Sequence, residues 1–319
     1  MIITEIQLAA DLLQQGELVA IPTETVYGLA ANGFDGSAIA KIYEVKNRPQ
    51  FNPLILHSNS WEKFASWGLE LPEEALKVAD KFSPGPLTFV VPKSSKVPDI
   101  ITAGHSSVAI RIPNHPVTLS LLSKLAFPLA APSANLSGTV SPTKAIHVEM
   151  QLGILIGAVL EGGECHIGLE STIISFVNPK QPKLLRLGGL SIEEIEDTLG
   201  FKLEKDSLLN NENPQAPGML SRHYAPKTPL VLGLPQNLET PIDNEDLVCI
   251  RFSQYLPEMP LKNQIILSEA GDLKEAAQKL FAAIRQADEM NKKLIVAEIF
   301  PEEHLGRAIN DRLRRASLS

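Results

Sequence analysis

The chain has 319 residues, 44% of them hydrophobic and 21% charged, with a formal net charge of -8. That length suits one large domain with a smaller one beside it, and the acidic balance argues against a general binder of nucleic acid or membrane surfaces while leaving room for a local basic pocket. The two cysteines, Cys165 and Cys249, lie far apart and outside any metal-ligand spacing, which argues against a disulfide framework or structural zinc and for a reducing cytoplasm.

The N-terminal stretch "MIITEIQLAADLLQQGE" lacks a basic n-region before an apolar core, so no secretory signal is expected. No apolar run approaches the ~20 residues of a membrane-spanning helix. Apolar positions Ile6, Ala9, Ala10, Leu12 and Leu13 predict a helix over 5–15 that stops at Gly16, with Thr4 and Gln7 at capping-box spacing. A buried strand over 18–22 follows and ends abruptly in Pro22-Thr23-Glu24-Thr25. The next helix, "SAIAKIYEVKN", ends before Pro49. "NPLILH" and "PLTFVVP" read as strands on either side of the helix "PEEALKVADKF", and "SVAIRIP" alternates as another strand. A helix "PVTLSLLSKLA" leads into the apolar "FPLAAPSAN", and "TKAIHVEMQL" is helical again. "ILIGAVLEGG", "STIISF" and "PKLLRLG" complete the strands, and Ser191 with Glu194 starts a capped helix that ends at Gly200. Several connections are too short for parallel crossovers, so the interleaving predicts an α/β domain over 1–205 built on a mixed sheet. Residues 206–229, crowded with Asn, Pro and Gly, read as a linker. Beyond it, strands "PLVLGL", "LVCIRF", "QIILS" and "KLIVAEIF" with helices over 272–290 and 302–316 make a small α/β domain over 230–319.

Three apolar segments, "VAIPTET", "FPLAAPSAN" and "ECHIGLESTIISF", carry hydroxyls or amides where strand meets loop. Each alone reads as a polar turn. Together they are suited to converge on one pocket at strand ends. Basic groups point the same way. Lys46 and Arg48 leave a helix end, where a cation is also at home structurally. Arg111 and Arg186 interrupt apolar strand patterns, so each either faces solvent or requires a buried partner or an anionic ligand. No P-loop, dinucleotide fingerprint, GxSxG or HExxH occurs, and the seven histidines lack ligand spacing. His57 and His223 are the two placed near the other polar segments.

The segments "PTETVYGL", "KNRPQFNPL", "PGPLTFVV", "SVAIRIPNHP", "APSANLSGTVSPT", "GLESTIISF", "LLRLGG" and "APGMLSRHYAPKTPL" together resemble the threonylcarbamoyl-AMP synthase family, the YrdC-like proteins in their long two-domain form, across about residues 18–229. Residues 230–319 resemble the long form by position and α/β pattern only. The resemblance implies a YrdC-like mixed twisted sheet with helices, plus a smaller Rossmann-like α/β domain, with the linker lying over the site. It implies the reaction of L-threonine, bicarbonate and ATP to threonylcarbamoyl-adenylate and pyrophosphate, the first step of tRNA threonylcarbamoyladenosine formation, with hand-off to a separate transferase and at most a weak contact with tRNA. Lys46 and Arg48 would be catalytic and meet the ATP phosphates. Thr23, His57, Ser106, Arg111, Ala131 and Ser171 would serve L-threonine and bicarbonate. Asn52, Thr102, Ser133, Asn135, Ser141, Arg186, His223 and Tyr224 would serve the nucleotide, and Mg²⁺ would ride on the triphosphate. Whether Thr23 or Thr25 faces the pocket stays open, because strand alternation puts both on one side. A YrdC-like RNA-binding module, a related carbamoyl-adenylate chemistry and a purely structural C-terminal domain are the rival readings. The acidic charge counts against the first, and the want of further domains and cysteines against the second.

Overall fold

The computed structural model describes residues 1–205, 217, 223–238, 240 and 242–318, so most of the expected linker at 206–229 lies outside the described residues. The larger sheet comprises β1 (Ile2–Ile3), β2 (Val19–Ile21), β3 (Gly28–Asn32), β4 (Ile55–His57), β5 (Leu87–Pro92), β6 (Ser107–Arg111), β7 (Leu129–Ala130), β8 (Ala158–Leu160), β9 (Thr172–Ser175), β10 (Lys183–Arg186) and β11 (Glu204–Lys205). Its 11 strands lie in the order β1-β8-β2-β3-β7-β4-β6-β5-β9-β10-β11. Parallel neighbours such as β4 and β6 alternate with antiparallel ones such as β2 and β3, which is the mixed sheet expected from the short connections. The helices beside it are α1 (Ile6–Gln14), α2 (Gly36–Lys46), α3 (Trp61–Ser66), α4 (Glu73–Phe82), α5 (Asp99–Thr102), α6 (Pro116–Ser123), α7 (Ala145–Leu152) and α8 (Ile192–Leu199). The second sheet is entirely parallel, β12 (Leu230–Leu232), β13 (Leu247–Arg251), β14 (Gln264–Ile266) and β15 (Leu294–Ala297) in the order β12-β15-β13-β14, with α9 (Leu273–Glu289) and α10 (His304–Ala316) packed on it.

Local chemistry explains most boundaries. Asp35 caps α2 by accepting from the amides of Ser37 and Ala38, and Asn47 ends it in the left-handed region at φ 50. Ser191 and Glu194 close the expected capping box on α8, and Gly200 ends that helix at φ 78. The capping box expected at Thr4 and Gln7 does not form. α1 begins one residue later than that spacing requires, so Glu5 takes the cap position without a side-chain bond, and Gln7 donates instead to Asp11 at 2.8 Å. Two central elements have no clear sequence signal. β3, "GLAAN", is buried over most of its length between β2 and β7, a place where small side chains fit, although Ala is a helix former. α5 is a single turn.

β2 and β3 are antiparallel partners, so "PTETVY" is a hairpin loop lying between them. Unlike most loops it is buried, with Thr23, Glu24 and Thr25 all 4% exposed or less. Its backbone is satisfied locally: the Thr23 hydroxyl accepts from the amides of Thr25 and Val26 and donates to the Val26 carbonyl at 2.7 Å.

The two sheets share a wall. Val26, Val140 and Leu169 belong to the same buried cluster as Leu280, Phe281 and Ile284 of α9, and Tyr224 stacks on Phe281 with ring centroids 5.3 Å apart. At Gly168 the chain runs so close to α9 that an added Cβ would stand 2.4 Å from the Gln278 carbonyl oxygen, and φ there is +77°. Only glycine meets both conditions. Gly168→Ala should therefore lower the unfolding midpoint by the equivalent of about 2 kcal/mol or more, measured by urea denaturation; an unchanged midpoint would show that α9 is not held against this turn.

Candidate active site

A cleft opens between the β2–β3 loop, the end of β4, the segment leading into β9, and the chain around His223. It encloses about 590 Å³ of non-atom space, open solvent at its mouth included, within the usual size of a small-molecule site. Ten of the residues proposed from sequence line it: Thr23, Arg48, His57, Arg111, Ala131, Ser133, Ser171, Arg186, His223 and Tyr224. Thr25 lines it as well, so both hydroxyls of the loop reach the cleft, and they bond to each other at 2.8 Å.

Arg111 points inward, and the partners that a buried charge requires are present. Its guanidinium donates to Glu24 at 2.8 Å, to the Thr25 hydroxyl at 3.0 Å and to the Gly85 carbonyl at 3.1 Å. Arg186 donates to the Ser171 carbonyl, the Ser171 hydroxyl and the Pro217 carbonyl, each at 3.0 Å. Ser171 also shares a hydrogen bond with Thr88 at 2.7 Å, so no base stands ready to make it a nucleophile. Arg48 is held by the carbonyls of Asn52, at 3.2 Å, and Pro53, at 2.9 Å. Burial lowers both Arg48 and Arg186 to about 10, which leaves each fully charged at neutral pH.

The other proposed residues do not line the cleft. Lys46 ends α2 directly behind its lip, donating to the Ser133 carbonyl at 2.6 Å and to the Asn135 carbonyl. Burial first, and Arg48 second, hold its ammonium well below the usual lysine range. Asn52 contributes its backbone to Arg48, and its buried Oδ1 has no partner among the described residues. Asn135 donates to the carbonyls of Leu136 and Thr139. Ser141 donates to Glu170 at 2.7 Å. Thr102 is buried in α5, where its hydroxyl meets the Asp99 carbonyl, and Ser106 is exposed at the head of β6. Of the three polar-tipped strands, "ECHIGLESTIISF" delivers its polar groups from the amino end of β9, not from a carboxyl end, because Ser171 precedes the strand.

Several contributors were not singled out from sequence. Glu24 balances Arg111 from behind. Glu170 is the sole carboxylate among the described residues lining the cleft. Arg312, from α10, donates to Glu170 at 3.0 Å and to the Leu187 carbonyl at 2.8 Å. For Arg312 a signal existed: it falls on the apolar stripe of Leu305, Ala308, Ile309, Leu313 and Ala316, a position where a charge demands a partner. Among the described residues the cleft thus carries three guanidiniums against one carboxylate, and its two histidines are uncharged. Burial pushes His57 down to about 3, with Arg111 adding to the effect. Burial also pushes His223 down to about 3; Glu170 opposes this, and Arg48, Lys46 and Arg315 reinforce it. A water-restricted cleft with fixed guanidiniums and neutral imidazoles suits a small ligand bearing several negative charges.

Comparison with known proteins agrees. Residues 11–188 match the Sua5/YciO/YrdC family model described as "Telomere recombination", and residues 190–317 match "Threonylcarbamoyl-AMP synthase, C-terminal domain". The threonylcarbamoyl-AMP synthase of Pyrococcus abyssi is 41% identical over 98% of this chain and 94% of its own, and that of Bacillus subtilis 38% identical over 98% and 93%. The crystal structure of P. abyssi Sua5 complexed with L-threonine superposes with a TM-score of 0.89 at 38% identity, covering 99% of this chain and 97% of that one. Escherichia coli YciO, at 19% identity and a TM-score of 0.53 over 59% of this chain and 93% of its own, shares the fold of the larger unit. The chain belongs to the threonylcarbamoyl-AMP synthase family.

The buried histidines predict an acid sensitivity. Each is neutral in the folded protein and ordinarily titrates near 6.5, so below that pH the unfolded chain takes up protons that the folded one refuses. Stability should be complete above pH 6.5 and fall as pH drops, by on the order of 1 kcal/mol per histidine at pH 5.5. Glu170, held down at about 2, adds a further loss only below pH 4.5. Urea midpoints at pH 7.5 and 5.5 should differ in the wild type and differ less in His57→Gln; equal differences would mean that His57 takes up its proton without unfolding.

Proposed function

We infer that the chain is an L-threonylcarbamoyladenylate synthase, which converts L-threonine, bicarbonate and ATP to threonylcarbamoyl-AMP and pyrophosphate, the first step of threonylcarbamoyladenosine formation in tRNA. The observation that carries the reading is the cleft itself: Arg48, Arg111 and Arg186 held in place around Thr23, Ser171 and two neutral histidines, in a chain of this family. The threonine amine attacks bicarbonate, a nitrogen–carbon bond forms and water leaves. The resulting N-carboxylate then attacks the α-phosphate, and the bond to pyrophosphate breaks. Both steps bring anions together, so positioning and fixed positive charge are the contribution required of the protein.

In this reading Thr23, Thr25, Arg111, Ala131 and Ser171 hold L-threonine and bicarbonate near the β2–β3 loop. Lys46 and Arg48, with Ser133 beside them, meet the triphosphate, and Arg186, His223 and Tyr224 close the nucleotide from the other side. A phosphate arriving at Lys46 restores the charge that burial disfavours. Mg²⁺ enters with the triphosphate as part of the substrate. Among the described residues no three His, Cys, Asp or Glu side chains are grouped to hold a metal, and both Glu170 oxygens are engaged by Ser141 and Arg312. Pro217, His223 and Tyr224 border the cleft and would help shield a labile carbamate and adenylate from water. The product passes to a separate threonylcarbamoyl transferase, in the cytoplasm, and any contact with tRNA is weak.

Pyrophosphate release by the purified protein should require ATP, L-threonine and bicarbonate together. Lys46→Ala or Arg48→Ala should slow it by about one to a few decades. Release that proceeds at full rate without threonine would overturn the assignment.

A further inference from the structure

Arg312 lies on α10, in the second unit, yet its guanidinium serves the first. It is 0% exposed, and besides donating to Glu170 and Leu187 it meets Asp311 at 2.7 Å and lies 5.3 Å from the centre of the Tyr224 ring. Glu170, its partner, is the lining carboxylate of the cleft, and its remaining oxygen is taken by Ser141. Leu187, its second acceptor, follows Arg186 directly, and Gly188 packs so tightly on the Glu170–Thr172 backbone that an added Cβ would stand 2.3 Å from the Glu170 carbonyl oxygen. Arg312 therefore grips both strands of the wall that carries Arg186 and Ser171.

The charge balance makes this contact more than a clasp. ATP, bicarbonate and the carboxylate of L-threonine all bring negative charge to the cleft, and a carboxylate in the lining repels it. Glu170 is ionised: burial opposes the charge, but Arg312, Arg186, the Ser141 hydroxyl and His223 together outweigh it. With Arg312 removed, Glu170 would turn its charge toward the cleft and draw on Arg186, one of the guanidiniums lining it. We propose that Arg312 is a positioning residue which pins and neutralises Glu170, so that the cleft accepts anionic substrates only while the second unit is docked. The proposal rests on the synthase reading and deepens it by assigning the second unit a task in substrate affinity.

The test compares full-length wild type, Arg312→Met, Glu170→Gln and the double variant. In Arg312→Met the KM for ATP should rise by about tenfold or more, with a smaller change in kcat. In the double variant, which removes the Arg312 guanidinium and the Glu170 charge together, the KM should return to within about threefold of Glu170→Gln alone. Should Arg312→Met fail to fold, the comparison of the double variant with Glu170→Gln still decides. A KM unchanged in folded Arg312→Met, or a double variant far weaker than Glu170→Gln, would overturn the proposal and leave Arg312 a structural clasp. Wild-type protein without turnover would instead sink the synthase reading, and the same comparison is then made on Kd for Mg·ATP by calorimetry.

Discussion

Arg111 cannot be buried alone, and the site is arranged around that constraint. Its guanidinium stands at the end of β6, in register with His57 on β4, and its water is replaced from three directions by Gly85, Thr25 and Glu24. Two of those partners belong to the β2–β3 loop. The pair between Arg111 and Glu24, with side chains 5% and 1% exposed, thus fixes the loop that presents Thr23 and Thr25. Buried pairs of this kind add little net stability, because desolvation offsets most of the attraction. What this one provides is geometry: two hydroxyls held where a strand end alone would leave them free to turn.

The remaining cations follow a different rule. Lys46, Arg48 and Arg186 are each 8% exposed or less, and the hydrogen bonds they make are to backbone carbonyls and one serine hydroxyl, not to acids. Carbonyl dipoles orient a charge without cancelling it. An acidic chain of net charge -8 therefore holds the Arg48 and Arg186 guanidiniums charged in one cleft, with Lys46, its ammonium disfavoured by burial, behind the lip. The neutral histidines beside it add hydrogen-bonding groups without adding charge.

Much of this could be read from the residues. The apolar runs, the Ser191–Glu194 cap, the mixed sheet and the second α/β unit all rest on local patterns that the structure reproduces. Arg111 and Arg186 stood out because a charge breaks a period-two pattern. What escaped was non-local. β3 is a strand because of its neighbours and not because of "GLAAN"; Thr4 sits one residue short of the cap because α1 starts later than its apolar stripe suggested. Glu170 was visible in "GLESTI" but anonymous, since nothing nearby in sequence says that Arg312, 142 positions on, will reach it. The resemblance carried by the motifs named ten residues that line the cleft; the link between the two units had to come from three dimensions.

The stacking of Tyr224 on Phe281, with Val26, Val140 and Leu169 in the same apolar cluster, has a consequence for how the molecule comes apart. Two sheets with separate cores would ordinarily melt as two independent steps. Here the wall of the cleft is part of both, so the loss of either sheet strips the other of packing and of the partner to a buried charge. Heat should meet a single cooperative block. A ligand seated among Arg48, Arg111 and Arg186 would then stabilise residues of the parallel sheet that it never touches.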